Sequence, residues 1–579
     1  MKTVLRQLGR YRRDTWLCIA MTTLEVIMEI LLPFITALII DEGLEAASLP
    51  TVYRYGALMV VMSFCGLAFG ALGGKFAASA SSGLAANLRE AVYNNIQTFS
   101  FSNIDKFSVP GLVTRMTTDI TNVQNAYMML IRVAVRSPLM LVFSYIMCLI
   151  ISPKLSLTFL LAVLFLAVVL GVIMVVTMRI FTEVFSKYDD LNASVQENVS
   201  AIRVVKAFVR EDYEDKKFAK ASQNLYRLFV KAEGLLAFNN PAMMLAVYFC
   251  IIMVSWLGAH FIVSGSMSAG ELTSLFSYVM SLMMSLMMLS MVVVMITMSM
   301  ASIRRISEVL NETPDLAEPE SPVYKVADGS IDFDHVDFSY KHGSGKNALS
   351  DIDLHIRSGE TIGVIGGTGS GKSSLVNLIC RLYDTDKGTV KVGGVDVRKY
   401  DMETLRNEVS VVLQKNTLFS GTILDNLRWG NPDATEEECK AACHAACADE
   451  FIDRFPDGYH TRIERGGANV SGGQKQRLCI ARALLKKPKV LILDDSTSAV
   501  DTATDAKIRA AFAKEIPGTT KIIIAQRISS VENADRILVL DNGRINGFDT
   551  HENLLKTNAI YREIYESQVK GGGDFDQPA

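Results

Sequence analysis

Long uncharged, apolar runs fill the first 300 residues of the chain, and an ordinary globular pattern replaces them after residue 320. A membrane-spanning helix needs about 20 mostly apolar residues. Stretches of that kind are predicted to cross a membrane at six places, residues 15–40, 55–80, 127–151, 155–180, 236–264 and 269–300. The second is the weakest, because glycine and alanine dilute it and Lys75 interrupts it. The pattern predicts an all-α membrane domain over residues 1–302.

The segments between the predicted spans alternate in length. Those after spans two and four, residues 81–126 and 181–235, are long and basic and keep a helical apolar period. We expect helices that extend far from the membrane, each with a short turn at its end. The positive-inside rule assigns both segments and both termini to the cytoplasm. No cleavable signal peptide is expected, and residues 1–14 are predicted to form a basic amphipathic segment on the cytoplasmic membrane face.

The second half of the chain has the pattern of a soluble α/β domain. Residues 303–330 are predicted to be a polar linker, residues 331–569 the domain, and residues 570–579 a disordered tail. Short apolar strands alternate with helical segments, which indicates a mostly parallel sheet. The strands expected from the pattern are Ile331–Phe338, Thr361–Ile365, Val490–Leu493 and Lys521–Ala525.

Composition agrees with this division. Half of the residues are hydrophobic, which is high for a soluble protein. The net charge of −3 is small and suggests no nucleic-acid partner. Several of the nine cysteines lie inside apolar runs, so we expect reduced thiols that pack as small hydrophobic side chains.

A phosphate-binding loop follows the second of the expected strands. Its context is a strand, a glycine-rich loop and then a helix, which makes the motif specific. Backbone N–H groups of such a loop surround phosphates, its lysine contacts the β- and γ-phosphates, and its hydroxyl ligates Mg²⁺. The residues predicted to bind nucleotide in this way are Gly366, Gly367, Thr368, Gly369, Ser370, Gly371, Lys372, Ser373 and Ser374.

Three further segments follow this loop in a characteristic order: Val470–Arg477, Leu491–Asp495 and Lys521–Ile528. Together with the loop they resemble the nucleotide-binding domain of ABC transporters. The membrane half resembles, less sharply, the bacterial multidrug exporters of that family. The resemblance implies a half-transporter with six transmembrane helices, two intracellular loops with coupling helices, and a P-loop α/β domain with a helical subdomain. ATP and Mg²⁺ are the implied cofactors.

The resemblance also implies roles for residues outside the loop. Tyr340 takes the place of the aromatic residue that stacks on adenine, Gln414 that of a glutamine that contacts Mg²⁺ and senses the membrane domain, and Asp494 that of a magnesium ligand. Residues 498–501 resemble the D-loop. The family's signature motif, which faces the γ-phosphate held by the other subunit, corresponds to Ser471, Gly472, Gly473 and Gln474.

Both catalytic positions depart from the family's pattern. Asp495 stands where most relatives have glutamate, and Gln526 where they have histidine. Aspartate is one methylene shorter, and a misplacement of about 1 Å can cost about 100-fold in rate. Glutamine cannot carry the positive charge of histidine. The two changes predict a site that binds ATP and hydrolyses it slowly; full activity despite both changes is the alternative.

Two features of the membrane half allow opposed interpretations. Nine methionines lie from Met280 to Met300, either because this helix packs against lipid and protein or because it lines a pliable substrate pocket. Glu25 and Glu29 share one helix face. Such carboxylates either bind cationic substrates or pair with Arg132 or Arg136.

The sequence thus predicts one subunit of a heterodimeric ATP-driven exporter in the cell membrane, multi-pass and with a cytoplasmic ATP-binding domain. Its partners would be a related half-transporter chain, the lipid bilayer, and small hydrophobic or amphipathic compounds such as drugs, lipids or peptides. A dedicated peptide or lipid exporter, an ATP-gated membrane regulator and a slow homodimer are the alternatives.

Overall fold

A computed structural model of the chain describes residues 2–340, 347–495 and 500–570. The chain forms two compact units, residues 1–98 with 108–312, and residues 99–107 with 313–579. Ser498 and Ala499 of the expected D-loop lie outside the described residues. The expected tail also lies outside them, except for Lys570, which ends the last helix.

Helices form the whole first unit. Within the described residues, six helical stretches are long and apolar enough to cross a membrane, which confirms the predicted number of spans. The helices up to residue 312 are α1 (Lys2–Arg6), α2 (Arg12–Leu38), α3 (Leu49–Thr98), α4 (Phe101–Phe107), α5 (Val109–Thr114), α6 (Ile120–Ile151), α7 (Pro153–Ser200), α8 (Ile202–Ala207), α9 (Glu211–Ala237), α10 (Asn239–Val263) and α11 (Ala269–Asn311), with 3-10 or π turns at Gly9–Tyr11, Ile39–Glu45 and Arg115–Asp119.

Two of these helices are far longer than a membrane is thick. Helix α3 has 50 residues and α7 has 48, so each is about 70–75 Å long against about 30 Å of hydrocarbon. Short helices lie at the far ends, α4 and α5 after α3, and α8 after α7. Ser108, with a positive φ of 57°, begins α5 by accepting a hydrogen bond from the Gly111 N–H at 3.3 Å. Long extensions ending in short turns are therefore present.

The sixth span continues as helix beyond the residue where a linker was expected. Helix α11 runs to Asn311, so residues 303–311 are helical. Ile306 and Val309 are fully buried in that part. Arg305 holds the buried carboxylate of Asp119, with its Nε 2.8 Å from Oδ2. Buried apolar positions one turn apart thus extend the helix through a stretch that contains many polar residues.

Glu25 and Glu29 pair with one arginine of the third span. Arg136 donates to Glu25 at 3.1 Å and to Glu29 at 2.6 Å. The second span makes room for this cluster, because a Cβ on Gly70 would lie 3.1 Å from the Glu25 carboxyl group. Pairing with arginine, one of the two interpretations, is therefore what the structure shows for these carboxylates.

Twelve strands and nine further helices are described after residue 312. The strands are β1 (Ile331–Phe338), β2 (Leu349–Ile356), β3 (Thr361–Gly366), β4 (Lys387–Val392), β5 (Val395–Asp396), β6 (Val409–Val412), β7 (Gly421–Thr422), β8 (Arg462–Ile463), β9 (Val490–Asp494), β10 (Thr520–Ile524), β11 (Arg536–Asp541) and β12 (Arg544–Asp549). The helices are α12 (Lys372–Ile379), α13 (Met402–Glu408), α14 (Ile423–Leu427), α15 (Glu436–Ala445), α16 (Asp449–Ile452), α17 (Gly472–Leu484), α18 (Thr502–Glu515), α19 (His551–Thr557) and α20 (Ala559–Lys570).

The main sheet has six strands in the order β12-β11-β3-β10-β9-β6. Its strands are parallel except for β12, which confirms the predicted α/β class. Every residue of β9 and β10 is buried, as expected of strands covered on both faces. Strand β1 lies elsewhere, in an antiparallel sheet of order β2-β1-β4-β5. The helical subdomain, α14 to α17, is inserted between β6 and β9.

Candidate functional site

The carboxyl edge of the main sheet brings the predicted site residues together. Strands β3, β10 and β9 are parallel neighbours, and Ile524 of β10 lies opposite both Val364 and Asp494. The loops that leave these strands therefore emerge side by side, where ligands of open α/β sheets bind. They carry the phosphate loop, the two aspartates and Gln526.

Glycines give the phosphate loop its shape. Gly369 and Gly371 have φ values of +79° and +100°, which L side chains rarely adopt. A Cβ on Gly366 would lie 2.2 Å from the Leu540 carbonyl oxygen, and one on Gly371 would lie 2.8 Å from that of Ala348. Helix α12 starts directly after Gly371, so its free N–H groups add to an anion-binding loop.

Lys372 is held at the loop by backbone oxygens. Its Nζ donates to the carbonyls of Gly366 at 2.7 Å and Gly367 at 2.8 Å. Burial lowers the pKa of Lys372, and the carboxylates of Asp494 and Asp495 oppose that shift. The ammonium group is thus bonded to neutral acceptors in a position from which it can contact phosphate oxygens.

Ser373 and Asp494 form an oxygen pair that suits Mg²⁺. The Ser373 hydroxyl donates to Asp494 Oδ1 at 3.2 Å, and Asp494 is 5 % exposed. Burial raises the pKa of Asp494, and the hydroxyl of Ser373 opposes the shift. Hydroxyl and carboxylate oxygens are ligands that Mg²⁺ prefers, so the residues fit the ion that the family pattern implies.

The two positions predicted to be catalytic are hydrogen-bonded to each other. Gln526 Nε2 donates to Asp495 Oδ2 at 2.8 Å. Burial raises the pKa of Asp495, while hydrogen bonds from Gln526 and Gln414 lower it. Asp495 also has a φ of +49°, in the left-handed region. Side-chain amides from two strand ends therefore occupy the carboxylate that would have to accept a proton from water.

A residue of the last helix fixes the segment that carries Gln526. Gln568 of α20 donates from Nε2 to the Gln526 carbonyl at 2.8 Å, and its Oε1 accepts from the Ile528 N–H at 2.9 Å. Sequence reasoning missed Gln568, because an exposed glutamine 42 residues after Gln526 carries no local signal.

Tyr340 lies in an aromatic cluster beside the phosphate loop. Its hydroxyl is 2.9 Å from Ser374 Oγ, and its ring is 49 % exposed. The rings of Phe338 and Tyr383 meet it edge-on, with centroids 4.8 and 5.1 Å away. Tyr383, which sequence reasoning did not single out, donates to Asp105 at 2.9 Å. The cluster leaves half of the Tyr340 ring open for stacking.

The signature segment forms a separate site at the start of α17. Ser471 accepts from the Gln474 N–H at 3.3 Å, and Gln474 Oε1 accepts from the Ser471 N–H at 2.8 Å. This capping box leaves Gly472 and Gly473 in the first turn, where backbone N–H groups have no helical partner. Within the described residues, no hydrogen bond joins Ser471 or Gln474 to the phosphate loop. The structure thus brings together all predicted site residues except those of the signature.

Two protein families match the chain. Residues 15–309 match the ABC transporter transmembrane region and residues 349–498 match the ABC transporter family. The chain is 35 % identical to the uncharacterised ABC transporter ATP-binding protein YfiB of Bacillus subtilis over 98 % of both chains. It is 36 % identical to the uncharacterised ABC transporter ATP-binding protein Rv1273c of Mycobacterium tuberculosis, again over 98 % of both.

Solved structures give the same answer. A bacterial Atm1-family ABC exporter with ATP bound superimposes with a TM-score of 0.83 at 26 % identity, covering 96 % of this chain and 99 % of that one.

Proposed function

The chain belongs to the ABC transporter family, as an exporter half with a membrane domain and an ATP-binding domain, and we propose that it is the slowly hydrolysing subunit of a two-chain exporter. Its family and six spans make it a multi-pass membrane protein with a cytoplasmic ATP-binding domain, in which ATP drives transport. The proposal concerns the division of labour between this chain and a related partner chain.

The phosphate loop supplies the binding function. Backbone N–H groups of the glycine-rich loop and of the first turn of α12, which begins at Lys372, would donate to the phosphates. Lys372 exchanges its two carbonyl acceptors for phosphate oxygens, which gains charge-assisted hydrogen bonds. Tyr340 stacks on the adenine ring. Ser373, Asp494 and Gln414 would hold Mg²⁺, which supplies positive charge at the phosphate oxygens.

One observation carries the proposal of slow hydrolysis: the 2.8 Å hydrogen bond between Gln526 and Asp495. A general base must reach a water near the γ-phosphate. Asp495 is shorter than the usual glutamate, and the Gln526 amide already occupies one of its oxygens. Gln526 in turn cannot donate with a charged imidazolium. Binding groups are complete, whereas both groups that would activate water are altered.

The signature motif supports a partner chain. Its capping box is complete on α17, while the motif serves, in the family, a nucleotide on the opposite subunit. A chain with an intact signature and an altered catalytic pair suits a complex in which the partner chain has the complete catalytic pair. We therefore infer a heterodimer that transports hydrophobic or amphipathic compounds.

The test measures ATP binding and turnover on the purified full-length chain, alone and with a candidate partner. We expect nucleotide to bind the single chain with very slow turnover, and turnover to appear when a partner with glutamate and histidine at the two positions is added. Brisk turnover by the single chain would contradict the proposal and favour a homodimer.

A transport assay with the reconstituted pair completes the test. Uptake of a labelled amphipathic compound, absent from lipid-only vesicles, is the expected result. ATP turnover without transport of any compound tested would favour an ATP-gated regulator instead.

A further inference from the structure

Two cavities in the membrane domain have three charged side chains in common. Their volumes are about 480 and about 640 Å³, and both are lined by Glu29, Arg132 and Arg136. Both lie within the first compact unit, among spans one, two, three and six. Charged side chains within membrane spans are costly and usually have a partner or a function.

Arg132 and Arg136 differ in their hydrogen-bond and ion-pair partners. Arg136 donates to both Glu25 and Glu29, so two carboxylates share one guanidinium group. Arg132, one helical turn away, has no hydrogen bond and no ion pair in the part of the chain that the structure describes. A guanidinium group carries five N–H donors and is always charged. The four charges of the cluster therefore sum to zero, and Arg132 is the charged group in it without a direct partner among the described residues.

The second span gives Arg132 its place. A Cβ on Gly74 would lie 3.3 Å from Arg132 Nη1. Gly70, one turn earlier, lies in the same way against the carboxyl group of Glu25. Small residues on one face of this span thus leave room for large charged groups. The unpaired guanidinium group is seated against a backbone and lines both cavities.

Methionines form the apolar side of the larger cavity. Met280, Met284 and Met288 are spaced one helical turn apart on α11 and line it together with Met128 of α6. They are 38–49 % exposed, in contrast to Met283, which is 1 % exposed in the core. Thioether side chains are flexible and polarisable and adapt to varied apolar shapes. One cavity therefore combines an unpaired cation with a deformable apolar wall.

We propose that this cavity binds amphipathic anions, with the carboxylate or phosphate group on Arg132 and the apolar part along Met280, Met284 and Met288. Glu25 and Glu29 each already give one oxygen to Arg136, so of the charged groups lining the larger cavity Arg132 is the one without a direct partner among the described residues. The proposal rests on the exporter function in one respect, since it names the class of compound that such an exporter would move. The anion comes either from a free amphipath or from the headgroup of a membrane lipid.

The test is an equilibrium binding measurement on the full-length protein in nanodiscs of phosphatidylcholine. The probes are dansyl-undecanoic acid and its methyl ester, which share the apolar chain and differ in charge. We expect Arg132→Gln to weaken binding of the acid about 10- to 100-fold, the effect of losing a charge-assisted hydrogen bond, and to leave the ester unchanged. Arg132→Lys keeps the positive charge but loses the forked arrangement of N–H donors. Its affinity for the acid should therefore lie between those of the unchanged protein and of Arg132→Gln.

Lys75→Gln is the matched control. Lys75 is exposed, lies next to Gly74 in sequence and lines neither cavity, so the variant removes one positive charge from the same region. Unchanged binding of the acid in Arg132→Gln would overturn the proposal. Equal weakening of acid and ester would also overturn it, because it would indicate a structural role for Arg132.

A second experiment tells whether the natural ligand is a free amphipath or the headgroup of a membrane lipid. Phosphatidylglycerol added to the nanodiscs competes with the acid if a lipid headgroup is the natural occupant, and does not compete if the site selects free amphipaths. Either result supports the anion site and identifies its source. Because binding requires neither ATP nor a partner chain, a complex that binds the acid and transports nothing would contradict the exporter proposal alone.

Discussion

The phosphate loop and the catalytic pair lie at the same edge of one sheet and are built in different ways. In the loop, backbone groups and glycines fix the geometry, and Lys372 is bonded to neutral carbonyls that it can leave. In the catalytic pair, Asp495 and Gln526 are bonded to each other. In the proposed function, nucleotide binding depends on the first region and water activation on the second. The comparison teaches that one can be preserved while the other changes.

Removing the loop's cation tests the binding side of this comparison. Lys372→Ala should weaken ATP binding to the single chain about 100-fold, because charge-assisted contacts to the phosphates are lost. Nucleotide titration of the purified chain measures this. Lys387→Ala is the control, since its side chain is 79 % exposed on β4. Tight ATP binding by Lys372→Ala would break the comparison, as the loop would then not be the binding element.

A substitution in the signature motif tests the comparison in the complex with the proposed partner. Ser471→Ala should lower ATPase activity of the heterodimer about 10- to 100-fold, as expected for loss of a group that contacts a transition state. Asp495→Asn should change it less than about twofold, because the proposed slow site would contribute little to turnover. ATPase rates at saturating ATP provide the measurement.

A control is needed because Ser471 also caps α17. Thr435→Ala removes the same type of capping box, with Glu438, from α15, and N-cap loss costs about 1 kcal/mol. If Thr435→Ala lowers activity as much as Ser471→Ala, the effect is one of stability. A larger loss from Asp495→Asn than from Ser471→Ala would contradict the assignment of roles.

Repair of the catalytic pair tests the other side. Asp495→Glu with Gln526→His should raise turnover at this chain's site at least about tenfold, because glutamate restores reach and histidine restores a donor that carries charge. The assay uses a complex whose partner base is disabled, so that turnover comes from this site. Turnover equal to that of the disabled parent would mean that these two residues do not limit the site.

The smallest expected effect concerns the contact from α20. Gln568→Ala removes two hydrogen bonds to the backbone around Gln526. Each is worth about 0.5–1.5 kcal/mol, so hydrogen exchange of the Ile528 amide should rise several-fold while ATP binding stays unchanged. Ser567→Ala is the control, since that hydroxyl bonds only within its own helix, to Ile564. Equal exchange in both variants would show that Gln568 does not hold the segment.

The fold could be predicted from the sequence where the pattern was local. Six apolar runs and a glycine-rich loop between strand and helix are continuous patterns, and both the spans and the α/β sheet are confirmed. The end of α11 was misjudged, because polar residues after 302 obscure the buried positions Ile306 and Val309.

The side-chain partners in the site were beyond such reasoning. That Gln526 donates to Asp495, or that Gln568 holds the backbone near it, depends on how β9, β10 and α20 pack. From the sequence, Arg132 and Arg136 were equally good candidates as partners for Glu25 and Glu29. The placement of spans one and three selects Arg136, and among the described residues no carboxylate pairs with Arg132.

The bridge from Arg136 to the first span has a consequence for synthesis of the protein. Glu29 and Arg136 are 107 residues apart, and ribosomes add about 5–20 residues per second. The first span therefore waits roughly 5–20 s in the membrane with two carboxyl groups before their shared counter-ion is made. The ion pairs of a helix made early thus form only after a helix made much later has supplied the arginine.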